Sequence, residues 1–193
     1  MKRNLRLPTI FVYSFLIILL IYFAINQNHE FSIYGIATGL LYYLILVLDK
    51  KYNFPTYSVW LFAIWAVLHM LGGSAYISGI RFYDLMLIQV IGDPFFILKY
   101  DQFVHAFCYV AFSILIYHVL KNHFKPNQER ALIIFTILAA SGVGLLNEVL
   151  EFGMVIFAGA GEAVGGYYNT ALDMVFNVIG AIIGTLYTSR KYN

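Results

Sequence analysis

Three pairs of polar residues interrupt long apolar runs of the sequence, at spacings that bring both members of a pair onto one face of a helix. The pairs are Asp101 with His105, Glu148 with Glu151, and Asp173 with Asn177. Carboxylates and imidazoles exchange protons in catalysis, and they also bind divalent metals. The three pairs are therefore candidates for an acid–base or metal-binding centre, provided that the elements carrying them meet.

The composition indicates that these elements are membrane-spanning helices. Of the 193 residues, 61% are hydrophobic and 11% are charged, against about 25% charged residues in an ordinary soluble domain. A span needs about 20 mostly apolar residues, and six runs meet or approach that length: 9–25, 32–48, 57–73, 102–120, 131–157 and 171–188. We predict an all-α fold, a polytopic transmembrane bundle of about six spans, in a single integral domain over residues 1–193. The expected partner is membrane lipid, since a net charge of +2 without a basic stripe gives no reason to expect nucleic acid.

The distribution of lysine and arginine predicts the orientation of the bundle. With six spans, ten basic residues fall on one side: Lys2, Arg3, Arg6, Lys50, Lys51, Lys121, Lys125, Arg130, Arg190 and Lys191. Only Arg81 and Lys99 fall on the other side. The positive-inside rule then predicts a multi-pass protein of the cell (inner) membrane with both termini in the cytoplasm.

The segment 82–98, FYDLMLIQVIGDPFFIL, is long enough to be a seventh span. However, it contains two aspartates and a proline, and counting it as a span would divide the basic residues six against six. We therefore interpret it as an extracytoplasmic element between the third and fourth spans. It is expected to be either an interfacial helix or a re-entrant hairpin broken near Gly92, Asp93 and Pro94.

In this orientation the polar pairs converge on the outer face of the membrane. Asp101 opens the fourth span from outside, and His105 lies about 6 Å deeper. Glu148 lies about 26 Å along the outward-running fifth span, in a hydrocarbon core about 30 Å thick. The sixth span begins outside near Asp173, and His69 lies near the outer end of the third span. The candidate catalytic cluster is His69, Asp101, His105, Glu148, Glu151, Asp173 and Asn177, and the candidate head-group contacts are Arg81 and Lys99.

The four carboxylates of this cluster cannot all be ionised at this depth unless cations balance them. Either some of them are protonated, or the histidines, Arg81, Lys99 or a divalent metal supplies positive charge. Zinc, manganese and iron accept such ligands, although the sequence has no compact motif such as H-E-x-x-H. If a metal binds, its expected ligands are His105, Glu148, Glu151 and Asp173.

Four segments of the chain carry a resemblance to known families: HMLGGSAY (69–76), KYDQFVHAF (99–107), NEVLEF (147–152) and GGYYNTALDMVFNVIGAIIG (165–184). Together they resemble the YjdF-like family of uncharacterised bacterial inner-membrane proteins, and their order is more distantly similar to the VanZ-like family. The resemblance implies that the seven cluster residues are polar signature positions. Gln102 stands where both families usually have a basic residue, and Asn169 stands where YjdF-like sequences often have an aspartate. VanZ-like proteins are associated with glycopeptide antibiotic resistance, and the YjdF-like family brings no established activity.

Three functions fit these observations. The chain is expected to modify or bind a lipid-linked or phospholipid head-group substrate in the cell envelope, with the cluster as an acid–base or metal centre. The first alternative is a non-catalytic envelope protein that binds lipid and uses the cluster to stabilise the bundle. The second is a small proton- or cation-coupled transporter, which is disfavoured because few polar residues continue toward the cytoplasmic side: Ser113, Thr136 and Ser141. Whether the site is catalytic is left open by the sequence.

Two features outside the cluster have structural interpretations. Gly180 and Gly184 form a G-x-x-x-G motif, which predicts close packing of the last span against another helix. His118 and His123 lie among basic residues at the cytoplasmic end of the fourth span, and we expect both to be solvated.

Overall fold

The computed structural model describes residues 5–159, 161 and 166–192. Within these residues, six helices are long and apolar enough to cross a membrane. They are α1 (Arg6–Ile25), α2 (His29–Tyr52), α3 (Thr56–Ser74), α4 (Tyr100–Leu120), α5 (Glu129–Ala158) and α6 (Tyr167–Tyr192). The predicted helical bundle of about six spans is confirmed, and each predicted run lies inside one of these helices. Lys2, Arg3 and Gly165, which enter the sequence predictions, lie outside the described residues.

The chain divides into two compact units, Met1–Phe82 and Tyr83–Asn193. In the first unit, α1, α2 and α3 pack against one another. α3 is followed by a short antiparallel hairpin, β1 (Tyr76–Ile77) and β2 (Ile80–Arg81). That the whole chain forms a single integral domain stays a prediction.

The segment 82–98 contains a second β-hairpin. After a short 3-10 turn, β3 (Met86–Ile91) pairs antiparallel with β4 (Ile97–Lys99). The strands reverse between them at Gly92, where the carbonyl accepts a hydrogen bond from the amide of Phe95, so the chain breaks where the sequence predicts. Of the two alternatives, a hairpin is present rather than an interfacial helix, because the apolar run MLIQVI is too short for a stable helix before Gly92 and Pro94 interrupt it.

In the second unit, α4, α5 and α6 pack against one another, and glycines allow the closest approach. A Cβ atom on Gly180 would collide with the main chain of Ala106, and one on Gly184 would collide with the carbonyl of Val110. The G-x-x-x-G motif therefore brings the backbones of α4 and α6 into direct contact, which confirms the predicted close packing. Ala106 adjoins His105, so this contact also fixes His105 relative to α6.

His118 corrects one expectation from the sequence. It is buried rather than solvated, with 2% of its surface exposed. Its Nδ1 lies 2.7 Å from the carbonyl oxygen of Ile114 in the preceding turn, and its ring packs edge-on against Tyr192. An imidazole that bonds to its own helix needs no solvent partner on that side, so the neighbouring basic residues were a poor guide to its burial. His123 is exposed, as expected.

Candidate functional site

Six of the predicted site residues meet at the end of the second unit where α4 and α6 begin and α5 ends. They are Asp101 and His105 from α4, Glu148 and Glu151 from α5, and Asp173 and Asn177 from α6. We call these six residues the polar centre. The spacing within each pair does place both members on the inner side of its helix, and the convergence predicted for these three spans is present.

His105 lies in the middle of the polar centre. Its Nδ1 is 3.0 Å from Oδ1 of Asn177, and its Nε2 is 3.6 Å from Oδ1 of Asp101 and 4.0 Å from Oε1 of Glu151. The amide nitrogen of Asn177 donates to Oε1 of Glu148 at 3.3 Å. Because the amide oxygen of Asn177 can only accept, Nδ1 of His105 is the nitrogen that donates to it. The ring is therefore held with Nε2 facing two carboxylates.

Two further amides donate hydrogen bonds to the acids. Nδ2 of Asn169 donates to Oδ2 of Asp101 at 3.1 Å and to Oδ2 of Asp173 at 2.7 Å, which links α4 to α6. Nδ2 of Asn147 donates to Oε1 of Glu151 at 2.7 Å. Neither amide is among the predicted site residues, although each precedes its own acid by four residues. That spacing was the available signal, since it puts both side chains on one helical face.

The carboxylates of the polar centre differ in burial and in hydrogen bonding. Asp173 and Glu148 are 1% and 6% exposed, whereas the side chains of Asp101 and Glu151 are 17% and 19% exposed. Among the residues that the structure describes, Oδ1 of Asp173 and Oε2 of Glu148 have no hydrogen-bond partner. The polar centre thus has a buried floor with two unpartnered carboxylate oxygens and a partly exposed rim.

The polar centre is short of positive charge. One imidazole faces four carboxylates, and it makes the ion pairs shown for Asp101, Glu148 and Glu151. Buried charges without compensation cost several kcal/mol each, so protons or cations must balance the acids. Two sets of donor atoms, each within 4.8 Å of one another, have spacings suited to a metal ion: Asp101, His105 and Asp173, and His105, Glu148 and Glu151.

Gln102 positions the first turn of α4 beside the polar centre. Its Oε1 accepts hydrogen bonds from the backbone amides of Leu98 at 2.6 Å and Lys99 at 3.1 Å, and its Nε2 donates to the carbonyl of Phe96 at 3.2 Å. The side chain is fully buried. Gln102 therefore joins β4 to the first turn of α4 through a neutral side chain, next to Asp101.

Three predicted site residues lie outside the polar centre as defined here. His69 lies on α3 in the first unit, with its ring stacked on Trp65 at 5.1 Å between centroids, and Arg81 ends β2 in the same unit. Lys99 ends β4 in the second unit, where its Nζ lies 5.6 Å from the centre of the Phe96 ring. The catalytic role of His69 and the head-group roles of Arg81 and Lys99 stay predictions.

The comparisons with known proteins support a membrane protein. No curated protein and no solved structure matches the chain. One family model, described as "Predicted membrane protein (DUF2238)", matches residues 8–193. That range covers almost all of α1 and the whole of α2 to α6, including every residue of the polar centre. The chain therefore belongs to the DUF2238 family of membrane proteins.

Proposed function

We propose that the chain binds and modifies the polar head group of a lipid or lipid-linked substrate, with the polar centre as its acid–base site. One observation carries this proposal. His105 is held through Nδ1 by Asn177, and its Nε2 faces the partly exposed carboxylates of Asp101 and Glu151. An imidazole fixed in one tautomer beside carboxylates is an arrangement suited to general acid–base catalysis.

The position of the polar centre along the helices supports a head-group substrate. Asp101 follows the first residue of α4, and His105 lies one turn further in. At 1.5 Å per residue, both lie within about 8 Å of the end of the helix, and the interfacial layer on each side of a bilayer is about 5–8 Å thick. The lysine and arginine distribution favours the extracytoplasmic face of the cell membrane, with both termini in the cytoplasm. The resemblance to YjdF-like and VanZ-like sequences supports the same setting in the cell envelope.

The charge of the polar centre limits which chemical groups of a substrate can react there. Four carboxylates around one imidazole repel a bare phosphate but accept a hydroxyl or an amine. Such a group, entering at the rim, can give its proton to Nε2 of His105. The surrounding carboxylates then stabilise the imidazolium ion, and Asn177 keeps the ring in place.

The test compares lipid extracts from cells that express the wild-type chain, His105→Gln or His123→Gln, with cells carrying an empty vector. His123 is an exposed histidine and provides the matched control. We expect a change in the mass-spectrometric profile of polar lipids with the wild type and with His123→Gln, and none with His105→Gln at equal protein content in the membrane fraction. A wild-type profile equal to that of the vector, or an unaltered effect of His105→Gln, would contradict the proposal.

A non-catalytic lipid-binding protein is the second candidate, and the asparagines favour it. Asn147, Asn169 and Asn177 donate to the carboxylates and so link the helices, as a purely stabilising network would. In that case a lipid co-purifies with the wild-type chain, but its mass is unaltered.

Transport is less favoured, because buried hydroxyl groups further along the helices bond to their own backbone. Thr136 donates to the carbonyl of Leu132 and Thr188 to that of Gly184, each at 2.7 Å. Ser113 and His118 likewise bond to backbone carbonyls of α4, so these side chains do not extend the polar centre toward the other end of the helices. A proton or cation relay would need such a continuation.

A further inference from the structure

We propose that the polar centre binds one divalent metal ion of the manganese, iron or zinc class, through Nε2 of His105 and the carboxylates of Asp101, Glu151 and Asp173. The inference deepens the proposed function and rests on it for the role of the ion, which would activate the hydroxyl or amine of the substrate. With the ion bound at Nε2 of His105, a carboxylate of the polar centre takes the substrate's proton in place of the imidazole. Binding of the ion itself can be measured without any knowledge of the substrate.

The spacing of the donor atoms suits a single ion. Two ligands held about 2.1 Å from one ion at tetrahedral angles lie about 3.4 Å apart. Nε2 of His105 lies 3.6 Å from Oδ1 of Asp101 and 4.0 Å from Oε1 of Glu151. The donor atoms of Asp101, His105 and Asp173 all lie within 4.8 Å of one another. Glu151 lies with His105 in the second such set, together with Glu148, so an ion at Nε2 of His105 would draw carboxylates of both sets toward it.

The hydrogen bonding of His105 matches that of a metal ligand. A histidine that binds a metal usually donates its other ring N–H to a neighbouring acceptor, which fixes the ring and its tautomer. Nδ1 of His105 donates to Oδ1 of Asn177, and Asn177 is in turn held by Glu148. This leaves Nε2 facing the carboxylates of Asp101 and Glu151, where a metal ion can replace its proton.

Asp173 supplies an independent observation. It is 1% exposed, Oδ2 accepts from Asn169, and Oδ1 has no hydrogen-bond partner among the described residues. A buried polar atom without a hydrogen-bond partner destabilises the folded chain, and more so when the group is charged. Coordination to a cation would satisfy this oxygen and would also offset the excess of negative charge around His105.

The donor set indicates the class of metal. One imidazole nitrogen with several carboxylate oxygens suits manganese, iron and zinc. Calcium and magnesium are usually bound by oxygen atoms alone, so the imidazole argues against them as the resident ion.

The experiment uses the full chain purified in detergent, stripped of metal by a chelator, and titrated with Mn²⁺ or Zn²⁺ alone. Free Mn²⁺ is followed by its electron paramagnetic resonance signal, and Zn²⁺ by calorimetry. We expect one ion per chain for the wild type and for Glu129→Gln, a control on α5 outside the polar centre. Asp173→Asn and Glu151→Gln, which keep the size of the side chain, should weaken binding at least tenfold. Asn177→Leu should weaken it about 10–100-fold through the orientation of His105.

A second measurement does not depend on any variant. A ligand that binds only the folded state stabilises it, so Mn²⁺, which has little affinity for thiols, should slow the reaction of the buried Cys108 thiol with a fluorescent reagent in the wild-type chain. Failure of both ions to bind in a one-to-one ratio, or equal affinity in the wild type, Asp173→Asn and Glu151→Gln, would overturn the metal site. If the chain binds no metal but the lipid profile still depends on His105, the metal site is wrong and the proposed function stands. If one metal ion binds per chain but the lipid profile does not change, the metal site stands and the proposed function is wrong.

Discussion

Replacing Asn177 with leucine should destabilise the second unit by more than the loss of two ordinary hydrogen bonds. The substitution keeps the approximate size of the side chain but removes the bonds to His105 and Glu148. Interhelical hydrogen bonds in membranes average about 0.6 kcal/mol, so two of them would contribute about 1 kcal/mol. However, Glu148 already has one unpartnered oxygen, and each buried group left unsatisfied costs about 1–3 kcal/mol. We therefore expect a loss of about 2–5 kcal/mol.

The single cysteine of the chain makes this prediction measurable. Cys108 lies on α4 one turn beyond His105 and is 5% exposed, so a thiol reagent labels it only when α4 separates from its neighbours. Since 1.4 kcal/mol corresponds to a factor of ten, a loss of 2 kcal/mol or more should accelerate labelling in detergent about 30-fold or more. Asn127→Leu, at an exposed position, provides the control. An acceleration of about fivefold or less for Asn177→Leu would refute the argument that the acids depend on this amide.

Two further substitutions test how the polar centre is positioned. Gly180→Ala should destabilise the chain by about 1–3 kcal/mol, because its Cβ would overlap the main chain of Ala106. Gly142→Ala is the control and should be neutral or slightly stabilising, since its Cβ meets no described atom within 4 Å. Equal melting temperatures for the two variants would contradict this prediction. The buried side chain of Gln102 makes three hydrogen bonds to the backbone of residues 96, 98 and 99. Gln102→Leu removes these bonds and should therefore make limited proteolysis between β3 and β4 faster. Gln89→Leu, at an exposed position on β3, is the control and should leave the cleavage rate unaltered. Equal cleavage rates in the two variants would show that Gln102 does not hold the hairpin.

The acidic residues of the polar centre could be predicted because charged residues are rare inside membrane-spanning segments. A carboxylate inside an apolar run has to face a partner, and a second polar residue three or four positions away shows which face of the helix it occupies. The order of the spans then determines which ends of the helices meet. Asn169 escaped this reasoning because it precedes the predicted sixth span, 171–188, and Asn147 because Glu148 and Glu151 already formed a pair on the fifth span. Their contacts with Glu151 and Asp173 became visible only in the structure.

Local geometry between the spans was harder to predict. The break near Gly92 follows from residues that interrupt a helix, but the pairing of β3 with β4 depends on Gln102, which lies in the next helix. A contact between a buried amide and a backbone segment leaves no periodic signal in the sequence. The burial of His118 is similar, since it depends on Tyr192 at the far end of α6.

The choice of partners for the acids bears on what the polar centre is for. If its only task were to hold three helices together, a lysine or arginine would neutralise the carboxylates and bond to them at once. Instead, the acids are held by the neutral amides of Asn147, Asn169 and Asn177, and Gln102 is directed to the backbone of β4. Amides orient a carboxylate without cancelling its charge, so the attraction for a proton or a metal ion is retained. A structure that keeps excess negative charge in an apolar environment, and fixes its geometry with neutral donors, is better suited to binding a cation or a polar substrate than to stability alone.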